Sequence, residues 1–293
     1  MPYLLHLLIL VAIYATLAVS LDLLVGHTGM VSLAHGAFFG IGAYAAALLA
    51  VRFGLPIWTG ALIGMVGAGT CAFLVGFATA RLRDDYFVIA TFSLQLVFTN
   101  LCENLLSITR GPLGISGIPS LAMFEEIVAP QTQMLVIGLG FLGVVWLIVY
   151  RLAKSPFGRV LHAIREDDVL TRALGKDDRY FKSAAFAVSA AAAAGAGAIY
   201  ASYTSYIDPS AFTITEAILV LSMVIIGGAG RTWGPVIGAA VLVLLPELLR
   251  LIGLPDAVAS NVRQLLYGVA LVGIVMLRPG GVVGWTNVHE RVR

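Results

Sequence analysis

Few side chains in this sequence of 293 residues could do chemistry, and the densest group of them lies near the end of the first apolar run. Asp22, His27, Ser32 and His35 offer groups that bind metals or transfer protons. Neither histidine has a carboxylate at a helical spacing that would let both side chains bind one metal ion. No Ser-His-Asp arrangement is apparent either. We therefore predict no metal site, no cofactor and no catalytic set, and we expect Ser32 and His35 to brace the chain.

The cysteines and the glycine-rich segments offer no second reactive centre. Cys71 and Cys102 lie within apolar runs, which favours buried, reduced thiols over a disulfide or a metal site. Neither glycine-rich segment carries the lysine of a phosphate-binding loop. The sequence therefore predicts no nucleotide chemistry in this chain.

Composition places these residues in a membrane. Hydrophobic residues make up 59% of the chain and charged residues 12%, with a mean hydropathy of +0.95, whereas soluble domains carry about 25% charged residues. One span needs roughly 17 to 25 apolar residues. We predict an all-α fold, a single transmembrane domain over residues 1–293 that forms a polytopic helical bundle of about eight to ten spans.

Nine apolar runs are candidate spans. The first has no basic start and is too long for the apolar part of a signal peptide, so we interpret it as a helix. The runs are Leu4–Val25, Gly36–Val51, Trp58–Ala80, Phe87–Leu106, Met134–Tyr150, Ser183–Tyr203, Ala217–Ile226, Val236–Leu249 and Val262–Leu277.

The distribution of basic residues sets the orientation. The loop Arg151–Lys182 holds eight of the 18 Lys and Arg residues, and basic loops stay on the cytoplasmic side. Counting spans outward places Ser107–Thr132 and Ser205–Thr215 outside, Arg81–Asp85 inside, and the N-terminus outside. A soluble partner is expected to dock on the basic loop.

Two glycine-rich interruptions share one design, in which an apolar helix is followed by a break and then by a helix rich in small residues. Paired breaks of this kind favour a transport pathway built from an internal duplication. The alternative is that the glycines only permit close helix packing. The break residues are Gly29, Gly36, Gly227, Gly228, Gly230, Gly234 and Pro235.

Polar residues inside a span favour a pathway, because uncompensated polar groups are costly in hydrocarbon. Thr91, Gln95, Thr99 and Glu103 recur every four residues on one helix face of the fourth span. We predict that this face lines a translocation path; the alternative is that it hydrogen-bonds neighbouring helices. The predicted path also includes four residues at the first break: Ser32, His35, Phe38 and Phe39.

The basic loop contains one predicted amphipathic helix. Apolar residues recur at helical spacing over Val160–Leu174, and Gly175 is expected to end the helix. Such a helix can insert into a groove on a soluble partner. A solvated loop without a partner is the alternative.

Three ordered motifs carry a resemblance to a known family: Gly29-x-x-Ser-Leu-Ala-His-Gly36, Ala163-Ile-Arg-Glu-Asp-Asp168 with Ala173-Leu-Gly175, and Gly227-Gly-Ala-Gly-x-x-x-Gly-Pro-Val-x-Gly-Ala239. With them the chain, from about Leu21 to Gly280, resembles the permease subunits of bacterial ABC importers for branched-chain amino acids. More narrowly, it is similar to the longer of the two permeases that such systems pair.

The resemblance implies a multi-pass protein of the bacterial inner membrane with four kinds of partner. These are a homologous second permease, two cytoplasmic ATPase subunits, a periplasmic substrate-binding protein and the lipid membrane; no nucleic acid is implied. ATP hydrolysis belongs to the ATPase subunits, so this chain is not expected to be an enzyme. The coupling residues implied by the resemblance are Ala163, Ile164, Arg165, Glu166, Asp167, Arg172, Leu174 and Gly175.

The substrate and the energy source each have an alternative. Related permeases also serve urea, short amides and aromatic acids, and Arg110 replaces a small residue expected in the outer loop. A secondary transporter would need a membrane-embedded ion-coupling acid or basic pair, and the candidate carboxylates lie near span ends: Asp22, Glu103, Glu216 and Glu247. A membrane-embedded enzyme is disfavoured because no catalytic set is apparent.

Overall fold

The computed structural model describes residues 2–79, 84–121, 129–251 and 268–269. Helices dominate these residues, together with two short strands and the 3-10 turns Gly111–Leu113 and Pro209–Phe212. The helices are α1 (Pro2–Val25), α2 (His35–Phe53), α3 (Ile57–Thr79), α4 (Asp84–Asn104), α5 (Leu106–Thr109), α6 (Pro130–Lys154), α7 (Pro156–Glu166), α8 (Asp168–Ala173), α9 (Asp178–Thr204), α10 (Ile214–Gly227) and α11 (Gly234–Leu251), and the strands are β1 (Ile115–Ser116) and β2 (Tyr206–Ile207).

Six of the described helices are long and apolar enough to cross a membrane: α1, α2, α3, α4, α6 and α9. Two shorter apolar helices follow, α10 and the described apolar part of α11, Gly234–Leu245. These eight helices coincide with eight of the nine predicted spans, so the all-α, polytopic class is confirmed. The ninth run, Val262–Leu277, lies outside the described residues except for 268 and 269.

The centre of the bundle is formed by α1, α2 and α9, whose residues are mostly buried, whereas α3, α4 and α6 lie at the periphery. Small residues allow the central helices to approach closely. A Cβ atom on Gly42 would overlap the carbonyl group of Ala194, and one on Gly197 would overlap the carbonyl oxygen of Phe39. The alanine- and glycine-rich sequence of α9 therefore explains its central position.

One end of the bundle collects the predicted outer loops. β1 pairs with β2 in antiparallel fashion, with Ile115 opposite Ile207. His6, near the start of α1, hydrogen-bonds the hydroxyl of Tyr203 at the end of α9. The N-terminal end of α1 therefore lies at the same end as these loops, as the charge pattern predicts. The predicted inner loop Arg81–Asp85 is only partly described, because residues 80–83 lie outside the described ranges.

The prediction of a single helix over Val160–Leu174 is wrong, because two helices, α7 and α8, cover this segment. Asp167 adopts an extended backbone conformation between α7 and α8, and its Oδ1 atom accepts hydrogen bonds of 2.9 Å from the backbone N–H groups of Val169 and Leu170. These are the bonds of a helix N-cap, which supply acceptors for N–H groups that have no partner within the helix. Gly175, with a φ of 78°, follows the end of α8, as predicted.

Candidate functional site

The two glycine-rich breaks meet at the end of the bundle that faces the basic loop. The backbone N–H of Gly230, in the second break, donates a 2.7 Å hydrogen bond to Oδ1 of Asp22 in α1. Gly26 in the first break lies so close that a Cβ atom there would overlap the nitrogen of Gly230 and the Asp22 carboxylate. Asp22 is only 3% exposed. Only glycine at position 26 permits this backbone contact.

The basic loop reaches the same place through α7. Nη1 of Arg165 donates a hydrogen bond to the carbonyl oxygen of Gly26. The aliphatic part of the Arg165 side chain lies against Gly29, and its Nη1 is near Gly230. A single side chain of the basic loop therefore contacts both breaks. We call Asp22, Gly26, His27, Arg165 and Gly230 the inner junction.

A second contact joins the first break to α7. Nδ1 of His27 lies 3.1 Å from Nε2 of His162, and the two rings meet edge to face with centroids 5.0 Å apart. Burial, together with the electrostatic effect of the neighbouring His162 and Arg165, lowers the pKa of His27 to about 4. His27 is therefore neutral at pH 7, which lets it share one hydrogen bond with His162.

The chemistry of the inner junction is that of a structural contact. Among the described residues, no group of three or more His, Cys, Asp or Glu side chains is arranged to hold a metal ion. The Arg165 guanidinium disfavours a cation beside His27, because like charges repel. Hydrogen bonds thus connect α7, the first break and the second break.

Deeper in the bundle, the predicted path face of α4 hydrogen-bonds the first break and the turn Pro209–Phe212. Oε1 of Gln95 accepts a 2.6 Å hydrogen bond from the N–H of Ala37, in the first turn of α2, and its Nε2 donates one of 2.7 Å to the carbonyl of Phe212. Thr91 accepts a bond from the N–H of Leu33, and the Thr99 hydroxyl lies 3.4 Å from the Phe212 carbonyl. This geometry fits the bracing alternative, and the assignment to the path stays a prediction.

The predicted path residues of the first break are also buried. Ser32 accepts a hydrogen bond from the N–H of Ala34, and Nε2 of His35 lies 2.9 Å from the hydroxyl of Ser189 on α9. Phe38 and Phe39 pack in aromatic clusters with Phe186 and Phe212. Both phenyl rings fill the core in this conformation. Their role as path walls stays a prediction.

The implied coupling residues separate into an inward and an outward set. Ile164, with Leu161, is buried against the bundle, whereas Ala163, Glu166 and Asp167 are exposed on α7 and at its end. Arg172 pairs with Asp168 at 3.2 Å and lies 3.8 Å from Asp178 on α9. These contacts hold α8 against the start of α9.

Three apolar side chains of α8 and its end remain exposed. Val169, Leu170 and Leu174 are 64%, 58% and 73% exposed, respectively. The amphipathic pattern is therefore divided, since α7 packs its apolar residues into the bundle and α8 presents them to the outside. We call Val169, Leu170 and Leu174 the α8 apolar knob.

Sequence reasoning placed Asp22 beside the first break but did not connect it to Gly230, and it did not place His162 in this site. A carboxylate four residues before a glycine, at the end of an apolar run, is a signal that could have marked Asp22 and Gly26 together. No local pattern connects Asp22 with Gly230 or His27 with His162, because 208 and 135 positions separate the partners. Only folding brings them together.

Comparison with known proteins gives consistent findings. Residues 3–277 match the family model described as branched-chain amino acid transport system, permease component. The chain is 33% identical to the high-affinity branched-chain amino acid transport system permease protein LivM of Escherichia coli (strain K12), over 97% of this chain and 71% of that protein. No solved structure shows significant similarity to it.

Two further relatives show how wide this similarity is. The probable branched-chain amino acid transport permease protein LivM of Methanocaldococcus jannaschii is 28% identical over 76% of this chain and 68% of its own length. The permease protein LivH of Escherichia coli (strain K12) is 23% identical over 94% of this chain and 93% of its own. Two differently named permeases of such systems are thus similar to this chain.

Proposed function

This chain belongs to the branched-chain amino acid transport system permease family, and from that membership we propose that it is the transmembrane permease subunit of an ATP-binding cassette importer for branched-chain amino acids. The observation that carries the proposal is the 33% identity to LivM over 97% of the chain. The eight apolar helices and the basic loop support it, since they provide a membrane passage and a surface for a soluble partner.

ATP hydrolysis is assigned to two separate cytoplasmic ATPase subunits, which dock on the basic loop. The docking surface is the α8 apolar knob with the exposed Glu166 beside it. An apolar side chain inserted into a groove of the ATPase would be removed from water. This burial stabilises the complex by about 25 cal/mol per Å² of apolar surface. The buried side of α7 then carries movement of the ATPases into the permease.

The inner junction is proposed to convert that movement into opening and closing of the passage. α7 contacts the first break through Arg165 and His162, and Asp22 connects the first break to the second through Gly230. A displacement of α7 would change the relative stability of two arrangements of the breaks. Alternating access is then a population shift driven by ATPase closure.

The remaining partners follow from the family. LivM and LivH both match this chain, which supports a pair of homologous permeases that together enclose the passage. A periplasmic binding protein would deliver substrate to the end formed by β1, β2 and the 3-10 turns, and the complex would lie in the bacterial inner membrane. The single domain over residues 1–293, with the coupling loop 151–182, is part of the same proposal.

Uptake by the reconstituted transporter tests the proposal. Proteoliposomes that hold this subunit, the partners that co-purify with it and its binding protein are given labelled leucine, urea or an aromatic acid, with and without ATP. Leucine uptake that requires ATP and the binding protein is the expected result. Uptake of urea or of the aromatic acid alone would replace the substrate, and transport by this chain alone without ATP would overturn the permease assignment.

A further inference from the structure

The helix α4 has a second polar face, opposite the one that hydrogen-bonds the first break. At about 100° per residue, Ser93, Asn100 and Asn104 form one narrow stripe, roughly half a turn away from Gln95. All three stripe residues are exposed, whereas Gln95 is completely buried. Glu103 is also exposed and lies near the outer end of α4, about 60° around the helix from Asn100. We call Ser93, Asn100 and Asn104 the outward polar stripe.

The other peripheral spans differ from α4 in this respect. Every exposed residue of α6 from Val136 to Ile148 is apolar. On α3, from Leu62 to Phe77, Thr70 is the one exposed polar residue, and its hydroxyl bonds to the carbonyl of Val66. Surfaces of this kind suit lipid tails. The exposed surface of α4 therefore meets a different environment.

The hydrogen bonds of the stripe return to its own helix. Nδ2 of Asn100 donates to the carbonyl of Leu96 and Nδ2 of Asn104 to that of Asn100, each at 2.8 Å, and the Ser93 hydroxyl donates to Ile89 at 2.9 Å. An asparagine amide has two N–H donors and an acceptor oxygen, so one such bond uses only part of its capacity. Lipid cannot supply the remaining partners, and polar groups left without partners in hydrocarbon cost free energy.

We propose that the outward polar stripe lines the water-filled substrate path, which the second permease subunit closes on its other side; this inference rests on the proposed function. An amino acid in solution is a zwitterion whose ammonium group donates and whose carboxylate accepts hydrogen bonds. Asn100 and Asn104 can serve both groups, because an amide is donor and acceptor at once. Leu96 and Val97, exposed on either side of the stripe, can contact an aliphatic side chain.

The charge of Glu103 favours the same ligand. Its exposed carboxylate lies at the outer end of the span, where it attracts the ammonium group of an entering amino acid. Two other described carboxylates within spans are already bonded, since Asp22 accepts a hydrogen bond from Gly230 and Glu216 accepts one from Tyr14. The stripe thus recognises the amino acid head group and leaves the side chain to apolar contacts.

Cysteine labelling in the assembled transporter tests this inference. The parent carries Cys71→Ala and Cys102→Ala, and single cysteines replace Ser93, Asn100 or Asn104 in it. Val66→Cys, on the apolar surface of α3, is the matched control, being itself 69% exposed. A membrane-impermeant methanethiosulfonate reagent reacts with thiolate, which forms in water and not in lipid. We expect the stripe cysteines to react at least about tenfold faster than the Val66→Cys control, and leucine with binding protein to slow their reaction.

Two results would overturn the inference. Stripe cysteines that react no faster than the control would lie in lipid or in a dry protein interface, and labelling that is fast but insensitive to leucine would place them in water outside the substrate path. ATP-dependent leucine uptake by the parent is measured separately. If the parent takes up leucine but the stripe cysteines do not react, only this inference is overturned. If a well-assembled complex takes up no leucine, the proposed function itself is contradicted.

Discussion

Gly230 donates its backbone N–H to the carboxylate of Asp22 over 2.7 Å, although 208 positions separate the two residues. This bond joins the first glycine-rich break to the second at a buried position. Arg165 reaches the same point from the basic loop. Three segments that lie far apart in sequence thus depend on one another.

Replacement of Asp22 by alanine is expected to destabilise the chain. The Gly230 N–H would then be buried without its acceptor, which costs about 1–3 kcal/mol. Thermal unfolding of the detergent-solubilised complex measures the loss. Asp22→Asn is the matched control, because its amide oxygen can still accept the bond; if it is as damaging as the alanine variant, the negative charge and not the hydrogen bond is what matters.

Gly26→Ala is expected to disturb the contact between the breaks. The new Cβ atom would overlap the nitrogen of Gly230 and the carboxylate of Asp22, and forced overlap in a packed site costs about 1–3 kcal/mol. Gly67→Ala is the control, because nothing lies within 4 Å of a Cβ atom at that position. Unfolding temperature and leucine uptake are both measured. Equal behaviour of the two variants would contradict the close contact at Gly26.

Arg165→Ala is expected to uncouple ATP hydrolysis from transport. The ATPase subunits would still bind α8, but the hydrogen bond from α7 to Gly26 would be absent. We expect substrate-stimulated ATP hydrolysis and uptake to fall by about tenfold, the equivalent of about 1.4 kcal/mol lost from coupling. Arg159→Ala, an exposed position on the same helix, should leave both rates near those of the parent. Unchanged stimulation in Arg165→Ala would exclude this residue as the connection.

A charge in the α8 apolar knob is expected to release the ATPase subunits. Leu170→Asp places a carboxylate on a side chain that is 58% exposed, so the chain should fold while the apolar contact with its partner is lost. The amount of ATPase that co-purifies with the permease measures the effect. Leu161→Asp, at a fully buried position of α7, should instead lower the yield of folded chain. Normal recovery of ATPase with Leu170→Asp would place the docking surface elsewhere.

Acidification is expected to destabilise the contact between His27 and α7. The folded-state pKa of His27, about 4, lies below its ordinary value of 6.5, so folding favours the neutral ring. The stability from this site is fully present above pH 6.5 and is lost progressively as the pH falls towards 4. The unfolding temperature of the parent should therefore fall more steeply from pH 7 to pH 4.5 than that of His27→Gln. If the unfolding temperatures of the parent and of His27→Gln change in parallel with pH, then His27 is not buried in its neutral form.

The sequence by itself determined the class of the protein and most of its helices. Composition required a membrane, since a soluble domain cannot carry so little charge. Runs of apolar residues predicted eight of the described helices, because the length of a span is fixed by the thickness of the bilayer. The glycines of the two breaks and the basic loop were visible locally as well, and three motifs carried the family resemblance.

Only the tertiary structure decided which polar face of α4 is buried and how the breaks meet. Thr91 with Gln95 and Ser93 with Asn100 both follow a helical period, so periodicity could not tell the bracing face from the exposed one. The packing of α2 and the turn Pro209–Phe212 against Gln95 made that choice.

The interruption between α7 and α8 at Asp167 was equally hidden in the sequence, because an aspartate is tolerated in a helix and favoured at an N-cap. Local propensities differ by less than about 1 kcal/mol per residue, whereas contacts between distant segments contribute more and therefore select the final arrangement.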